Sequence, residues 1–433
     1  MEQVKIIIVG NGDRANCYCK YALSNPEKLK VVAIIDPSDY KKRLGTEKYG
    51  VPLDMCFDSV DDFLVYHKQH GKVADAVLNS TMDELHYQTA IPLLKAGYHM
   101  LLEKPVVNNA AQLIEIQKTA EENGCLLMVC HVLRYTPFFR AIKEIILRGE
   151  IGEIMHIETC ENVGIAHSSN SYIRGKWNST EKCGSSMLLA KCCHDLDLLC
   201  WLNDKTYPIS VASFGGRNFI TKEKAPEGAG DRCLVDCPHV DTCRYSAKSI
   251  YVKKDRFPHY AWAGIEKDYN TLTEQEKIDS LKTNNPHGKC AFKTGSDLVD
   301  HQAVIMQFEN GSTSTHSMIQ GAIRPCRKIR VMGTLGEIEG SIETSKFSVR
   351  KYDFDQSWYT TEEVDVSKQI IEGDNHAGGD AGIIRDFCNM ISGGEVSISC
   401  TKIQDSIYGH LCVYLADNSM QDNQVKQITP LSK

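Results

Sequence analysis

One stretch sets chemistry-bearing side chains at a telling spacing: His99-Met-Leu-Leu-Glu103-Lys104-Pro105-Val-Val107. It reads as a short apolar strand that stops at Glu-Lys-Pro. A residue before proline is pushed into extended geometry, so Lys104 is expected at the carboxyl end of a buried strand. Ligands of open α/β sheets sit at that edge. A lysine held there can hydrogen-bond a substrate hydroxyl, and partial burial can lower its pKa enough for general-base work. A solvated lysine ahead of a loop is the plain alternative. The second signature is Gly10-Asn11-Gly12-Asp13-Arg14-Ala15, directly after the β-branched run Val4 to Val9. In this G-x-G-x-x-A loop Gly10 makes the tight turn and Gly12 lets a pyrophosphate approach the backbone. Ala15 keeps the following helix close to the strand. A second apolar strand, Val31 to Ile35, ends at Asp36. A carboxylate there suits the ribose hydroxyls of NAD and repels the extra phosphate of NADP. Lys41, Lys42 and Arg43 follow closely, so NADP is disfavoured and not excluded.

The elements that must position these groups alternate regularly. After the first two strands comes Ala74 to Ser80, then Thr81-Met-Asp-Glu-Leu-His86 and a helix of about Tyr87 to Ala96 that stops at Gly97. The Lys104 strand, a helix near Ala110 to Asn123 and a last strand, Cys125 to His131, complete the series. Alternation of this kind predicts an α/β fold with a doubly wound parallel sheet. At 433 residues the chain suits two domains, one bearing an insertion. A net charge of −7 argues against a nucleic-acid binder. No run approaches the roughly 20 apolar residues of a membrane span, and the opening residues lack signal-peptide features. A cytoplasmic protein is expected, so its 18 cysteines are read as reduced thiols or metal ligands, not a disulfide frame.

Taken in order, Gly10 to Ala15, Asp36, Thr81 with His86, and Glu103-Lys104-Pro105 resemble the glucose-fructose oxidoreductase / inositol dehydrogenase (Gfo/Idh/MocA) family. Leu133-Arg134-Tyr135-Thr-Pro137, Gly149-Glu-Ile-Gly152, Cys192-Cys193-His194-Asp195-Leu196-Asp197 and Val331-Met-Gly333-Thr-Leu-Gly336 extend the resemblance over nearly the whole chain. It implies a Rossmann domain over 1–132 and a C-terminal α/β domain over 133–433 with a large, mostly antiparallel open sheet that forms homodimers or homotetramers. It also implies an NAD site built from Gly10, Asn11, Gly12, Asp13, Arg14, Asp36, Thr81, His86, Glu103 and Lys104. The family's catalytic lysine and histidine map onto Lys104 and His194. Many relatives carry an aspartate four residues before that histidine; here the position is Ala190, with Lys191 beside it. Positions 190 and 191 both share a helix face with 194, so Lys191 could take over substrate binding or proton transfer. A solvated lysine and a core histidine are the alternative readings of Lys191 and His194.

Glu161-Asn-Val-Gly164-Ile-Ala-His167 and Ser171-Tyr-Ile-Arg174-Gly-Lys-Trp177 resemble the substrate-facing strand and loop of one family branch, which adds His167, Arg174 and Trp177, with Arg134, to the substrate candidates. Arginine offers a fork of donors and tryptophan a flat platform for a sugar ring; a surface arginine and a core tryptophan would look the same. Roughly 214–297 exceeds what the family core needs and is expected to cover the cleft as a flap. Cys233-x3-Cys237-x5-Cys243 and the distant Cys290 suit a tetrahedral structural zinc, with His239 or His287 as substitutes for one sulfur. Free thiols in a covering loop are the alternative. His376-Ala-Gly378-Gly379-Asp380 is expected to open a helix from Ala381 to Met390 with Asp380 as its cap.

The expected function is NAD-dependent oxidation of a secondary alcohol on a sugar, glycoside or cyclic polyol, with Lys104 and His194 handling the hydroxyl proton and Lys191 assisting. A redox-neutral enzyme that retains NAD, oxidises its sugar transiently and cleaves or epimerises a glycoside is the alternative. A non-catalytic NAD-binding sensor is the third reading.

Overall fold

The computed structural model describes residues 3–355, 358–370 and 376–430. Six β-rich apolar segments form one parallel sheet: β1 (Val4–Val9), β2 (Leu29–Ile35), β3 (Cys56–Phe57), β4 (Ala76–Asn79), β5 (His99–Leu102) and β6 (Leu127–Val129), in the order β3-β2-β1-β4-β5-β6. The strand order reverses between β1 and β4, and in such sheets ligands bind at that switch point. Helices on both faces account for the buried apolar runs: Ile6, Ile7, Ile8, Val77, Leu78, Met100 and Leu101 are all fully buried.

The second sheet has nine strands. These are β7 (Ile154–Gly164), β8 (Pro208–Gly216), β9 (His301–Phe308), β10 (Thr313–Ala322), β11 (Cys326–Gly333), β12 (Gly336–Ser341), β13 (Lys346–Asp353), β14 (Trp358–Asp365) and β15 (Lys426–Gln427), ordered β14-β13-β12-β11-β7-β10-β9-β8-β15. Only β7 and β10 pair in parallel among them. The burial of β9 alternates strictly, as expected for a sheet with one face on the core. Helix Cys193–Leu202, buried along its whole length, lies on that inner face and carries His194. Among the described residues no helix is long and apolar enough to cross a membrane.

The division at residue 132 separates the sheets but not the cores. Ile383, Ile384 and Phe387 from helix Gly379–Ile391 complete one side of the first domain, and Ile403, Ile407 and Leu411 from helix Ile403–Asp422 complete the other. Val129 N–H donates to Thr401 O at 2.9 Å, so the chain's C-terminal third is stitched onto the parallel sheet. Helix Gly379–Ile391 follows Gly378 at φ +94°. Asp380 therefore lies inside its first turn and does not cap it, contrary to the sequence expectation. The insertion runs from the end of β8 to the start of β9 and builds two small cores, one of them around Tyr251 and Trp262.

Candidate active site at the carboxyl edge of the parallel sheet

The loop after β1 is shaped for a dinucleotide. Gly10 has φ +81°, and a Cβ there would lie 2.8 Å from Ser80 O, so only glycine fits. A Cβ on Gly12 would meet nothing within 4 Å, which leaves open space over the helix start. Helix Asp13–Ser24 has no side-chain cap, so its first N–H groups remain free for phosphate oxygens. Asp36 ends β2 but turns inward: its carboxylate accepts from Asn11 N and Ser38 N, both at 2.9 Å, with Lys41 Nζ 3.6 Å away. A carboxylate has further lone pairs, and Lys41 stands at the same mouth. Thr81 Oγ1 donates to Asn79 Oδ1 just past β4.

Lys104 stands past the end of β5, where the residue types placed it, ahead of a cis peptide to Pro105. Its surroundings hold the turn firmly. His86 Nδ1 meets Pro105 O at 2.7 Å and His410 Nε2 accepts from Val106 N at 3.1 Å. Glu103 accepts from Lys104 N, Arg14 Nε and Tyr18 OH within 2.9 Å, and Arg14 reaches on to Asp380. Burial works to raise the Glu103 carboxyl, but Arg14, Lys104 and the Tyr18 hydroxyl outweigh it and hold it below its ordinary value. His86, Glu103 and Arg14 were expected to touch the cofactor. In the structure His86 lies between the Pro105 and Thr81 carbonyls, and the Glu103–Arg14–Asp380 chain fastens the nucleotide loop to helix Gly379–Ile391.

The opposite wall comes from the second domain. A π-turn, Leu188–Cys192, runs into helix Cys193–Leu202. It aims the Ala190 carbonyl at Lys104, whose Nζ donates to it at 2.9 Å. His194 lies beside Lys104, and burial followed by the Lys104 charge pushes its pKa well below the ordinary value. Lys191 Nζ is 3.4 Å from Glu161 Oε1, and Arg327 pairs with both Glu161 and Asp195. Burial, then Lys191, Arg327 and Lys104, push His167 well below its ordinary value, so it faces the same cations as a neutral ring. Lys104, His194, Lys191 and His167 are thus brought together across the cleft.

Two of the arginines are not. Arg134 is 1% exposed and bidentate to Asp197, with Cys400 O and Asp405 O as further acceptors. Arg174 is 2% exposed and donates to Lys289 O, Tyr245 O and Ser169 Oγ. Both guanidinium groups are internal ties, and neither is open to a substrate. Motif position alone could not separate a buried fork from an exposed one.

The insertion packs against His167 and Trp177 and brings up residues the sequence reading missed. Tyr260 packs edge-on to Trp177 at 6.1 Å, and Lys176 Nζ lies 4.3 Å over the Trp177 ring. Phe257 (φ +53°) packs on His167 at 5.1 Å. Burial and then the Asp13 charge raise the Tyr260 hydroxyl. Trp177 Nε1 donates to Asp83 Oδ2 at 3.1 Å, which ties the wall to the first domain. His131 was missed too, although it ends the Cys125–His131 run and so obeys the strand-end rule used for Lys104. Away from the cleft, Cys233, Cys237, Cys243 and Cys290 line one cavity of about 10 Å³. Arg174 Nη2 donates to Cys233 Sγ at 3.6 Å and Tyr245 N to Cys243 Sγ at 3.4 Å. Cys192, Asp195 and His316 bring their ligand atoms within 4.8 Å of one another. There the Arg327 guanidinium already serves as the cation.

Residues 4–131 match the family described as "Oxidoreductase family, NAD-binding Rossmann fold", and residues 143–427 match its "C-terminal alpha/beta domain". YteT of Bacillus subtilis, named as an oxidoreductase, is 24% identical over 320 residues, 72% of each chain. The 2,7-anhydro-N-acetylneuraminate hydratase of Mediterraneibacter gnavus is 25% identical over 162 residues, 37% of this chain and 40% of that protein. The solved levoglucosan dehydrogenase in complex with NADH and levoglucosan superposes with a TM-score of 0.70 over 99% of this chain and 100% of that one, at 15% identity.

Proposed function

The chain belongs to the Gfo/Idh/MocA oxidoreductase family and is an NAD(P)-dependent oxidoreductase, and from that premise we propose that it oxidises a secondary alcohol of a sugar, glycoside or cyclic polyol with NAD. The observation that carries the reading is Lys104 at the carboxyl edge of the parallel sheet, its Nζ 2.9 Å from the carbonyl of Ala190, four residues before His194, beside a loop open to a pyrophosphate. The dinucleotide supplies the hydride acceptor; the chain's own groups hold the alcohol and move its proton. Lys104, fixed by Glu103 through its backbone and by Ala190 O through Nζ, hydrogen-bonds the hydroxyl. His194 takes up the proton as a ring that burial and the Lys104 charge hold in its neutral form before the reaction. Lys191, Glu161 and Arg327 offer a charged, hydrogen-bonding floor for the neighbouring hydroxyls, and Trp177 with Tyr260 an aromatic lid. Trp177 is itself packed by Tyr172, Tyr260 and the Lys176 ammonium 4.3 Å over its ring.

NAD is preferred because the Asp36 carboxylate just past β2 would repel a 2′-phosphate, against the pull of Lys41 Nζ 3.6 Å from it. The nucleotide released on denaturing freshly purified protein tests this: NADP in the pool overturns the reading of Asp36. A redox-neutral reaction is the second reading, favoured by the hydratase relative. Stoichiometric retained NAD, with no net reduction across a sugar panel, would put it first.

Two further parts of the proposal concern assembly. The four insertion thiols hold a structural zinc, for which the shared small cavity and two N–H···S contacts speak. No three of these sulfurs lie within 4.8 Å of one another, so the ion would draw them together. The outer face of the nine-stranded sheet, with Phe214 and Ile305 more than half exposed, supports a homodimer or homotetramer. A monomer in sedimentation would overturn that part.

A further inference from the structure

We infer that His131 is a positioning residue that fixes the tautomer and basicity of His194 by linking it to the buried carboxylate of Asp197. The inference deepens the proposed dehydrogenase reading and rests on it. His131 is fully buried at the end of the β6 segment. Its Nδ1 faces His194 Nδ1 at 3.5 Å, and its Nε2 faces Asp197 Oδ1 at 3.7 Å. Nε2 has no closer partner. The ring is boxed in by His194 at 5.5 Å and His410 at 5.2 Å between centroids.

Facing nitrogens need one proton between them, because two donors or two lone pairs repel. If His131 Nδ1 carried it, a lone pair on His131 Nε2 would face the Asp197 carboxylate. If His194 Nδ1 carries it, His131 accepts there and points its own Nε2–H at Asp197. Only the second arrangement makes the His194 hydrogen bond while turning an N–H, and not a lone pair, toward the Asp197 carboxylate 3.7 Å away. It leaves His194 Nε2, on the other edge of its ring, as a lone pair open to a substrate hydroxyl. When the O–H bond breaks, its proton moves to Nε2 and its electron pair stays on oxygen. The imidazolium formed still donates through Nδ1–H to His131, whose partner charge is Asp197.

The neighbours make that support matter. Lys104, Arg327 and His376 bear on His194, and Arg134, Lys104, Glu103 and His410 surround His131; apart from Glu103 these are cations or neutral rings. Position 190, one turn before His194, is alanine and offers no carboxylate. Asp197, itself held by Arg134 at 2.5–2.7 Å, is the carboxylate that His131 Nε2 faces.

The test compares His131→Phe, which keeps a ring and removes both nitrogens, with His131→Gln, which restores one acceptor. His131→Phe is expected to lower kcat about 10- to 100-fold with KM within about twofold, and to move the acid limb of the kcat profile to lower pH. His131→Gln should recover part of both effects. Equal losses in the two variants, or a fallen kcat with an unmoved pH profile, would mean packing alone and overturn the inference. Nucleotide binding and thermal unfolding report whether each variant is folded. Should no alcohol be turned over at all, nitrogen spectra of ¹⁵N-histidine protein still decide: the Nδ1–H tautomer of His194 supports the inference, and the Nε2–H tautomer refutes it.

Discussion

Lys104 reaches the cleft from a strand end and His194 from a helix start, and each is surrounded by groups that fix its position before any substrate arrives. Preorganisation of this kind is what lets a proton acceptor act without first paying for rearrangement. Replacing Lys104 by alanine removes the hydroxyl's hydrogen-bond partner and leaves the glycine loop untouched. Turnover in Lys104→Ala should fall by about 10²- to 10⁴-fold, with the nucleotide dissociation constant, read by nicotinamide fluorescence, within a few-fold of native. Native turnover in that variant would sink the assignment of Lys104. Arg134 makes the opposite point at the same scale. Its fork is fully engaged by Asp197 and two carbonyls, which makes it a tie beneath the carboxylate that faces His131.

Among the elements, the insertion has the most individual character. It brings Tyr260 and Phe257 over the cleft from a segment whose own cores are small, and Arg174 ties it down by donating to Lys289 O and Tyr245 O. A four-thiolate ion near that tie would stiffen the whole cap, since binding to the folded state alone adds directly to its stability. Elemental analysis of purified protein should find one zinc per chain, lost in Cys237→Ser. Chelation should lower the unfolding temperature and raise KM more than it lowers kcat, because the cap positions substrate and not the base. Protein free of metal, with all four insertion thiols open to a thiol reagent, would refute the zinc.

For the molecule as a whole, one buried carboxylate of the second domain couples stability to pH. Asp417, on helix Ile403–Asp422, accepts from Ser186 Oγ at 2.5 Å and Gln302 Nε2 at 3.2 Å, and burial raises its carboxyl to about 6. A raised pKa means that the folded state holds the proton more tightly than the unfolded chain. The associated stability is therefore full below the ordinary carboxyl value of about 3.9 and is lost as pH rises through 6. At about 1.4 kcal/mol per unit, the loss by pH 8 is on the order of 3 kcal/mol. Asp417→Asn, which keeps the shape and cannot ionise, should match the native protein in urea unfolding at pH 4.5 and exceed it at pH 8. A constant difference across that range would show that Asp417 titrates normally.

Much of this was written in local sequence, for a physical reason. The β-branched runs, the glycine loop and the Glu-Lys-Pro strand end are short-range features: sterics at Gly10 and before Pro105 act within a few residues, whatever surrounds them. They sufficed to place the parallel sheet, the nucleotide loop and Lys104 at its edge. Tertiary structure decided which polar groups face the cleft and which face inward. Arg134 and Arg174 carry the same side chain as any substrate-binding arginine, and only the packing of distant Asp197, Lys289 and Tyr245 turns them into ties. His131 gains its neighbours from helices far along the chain, and Asp380 leaves its expected cap to meet Arg14. Burial and partnership are sums over residues remote in sequence, so the assignment of each charge to substrate or to scaffold appeared only once the chain had folded.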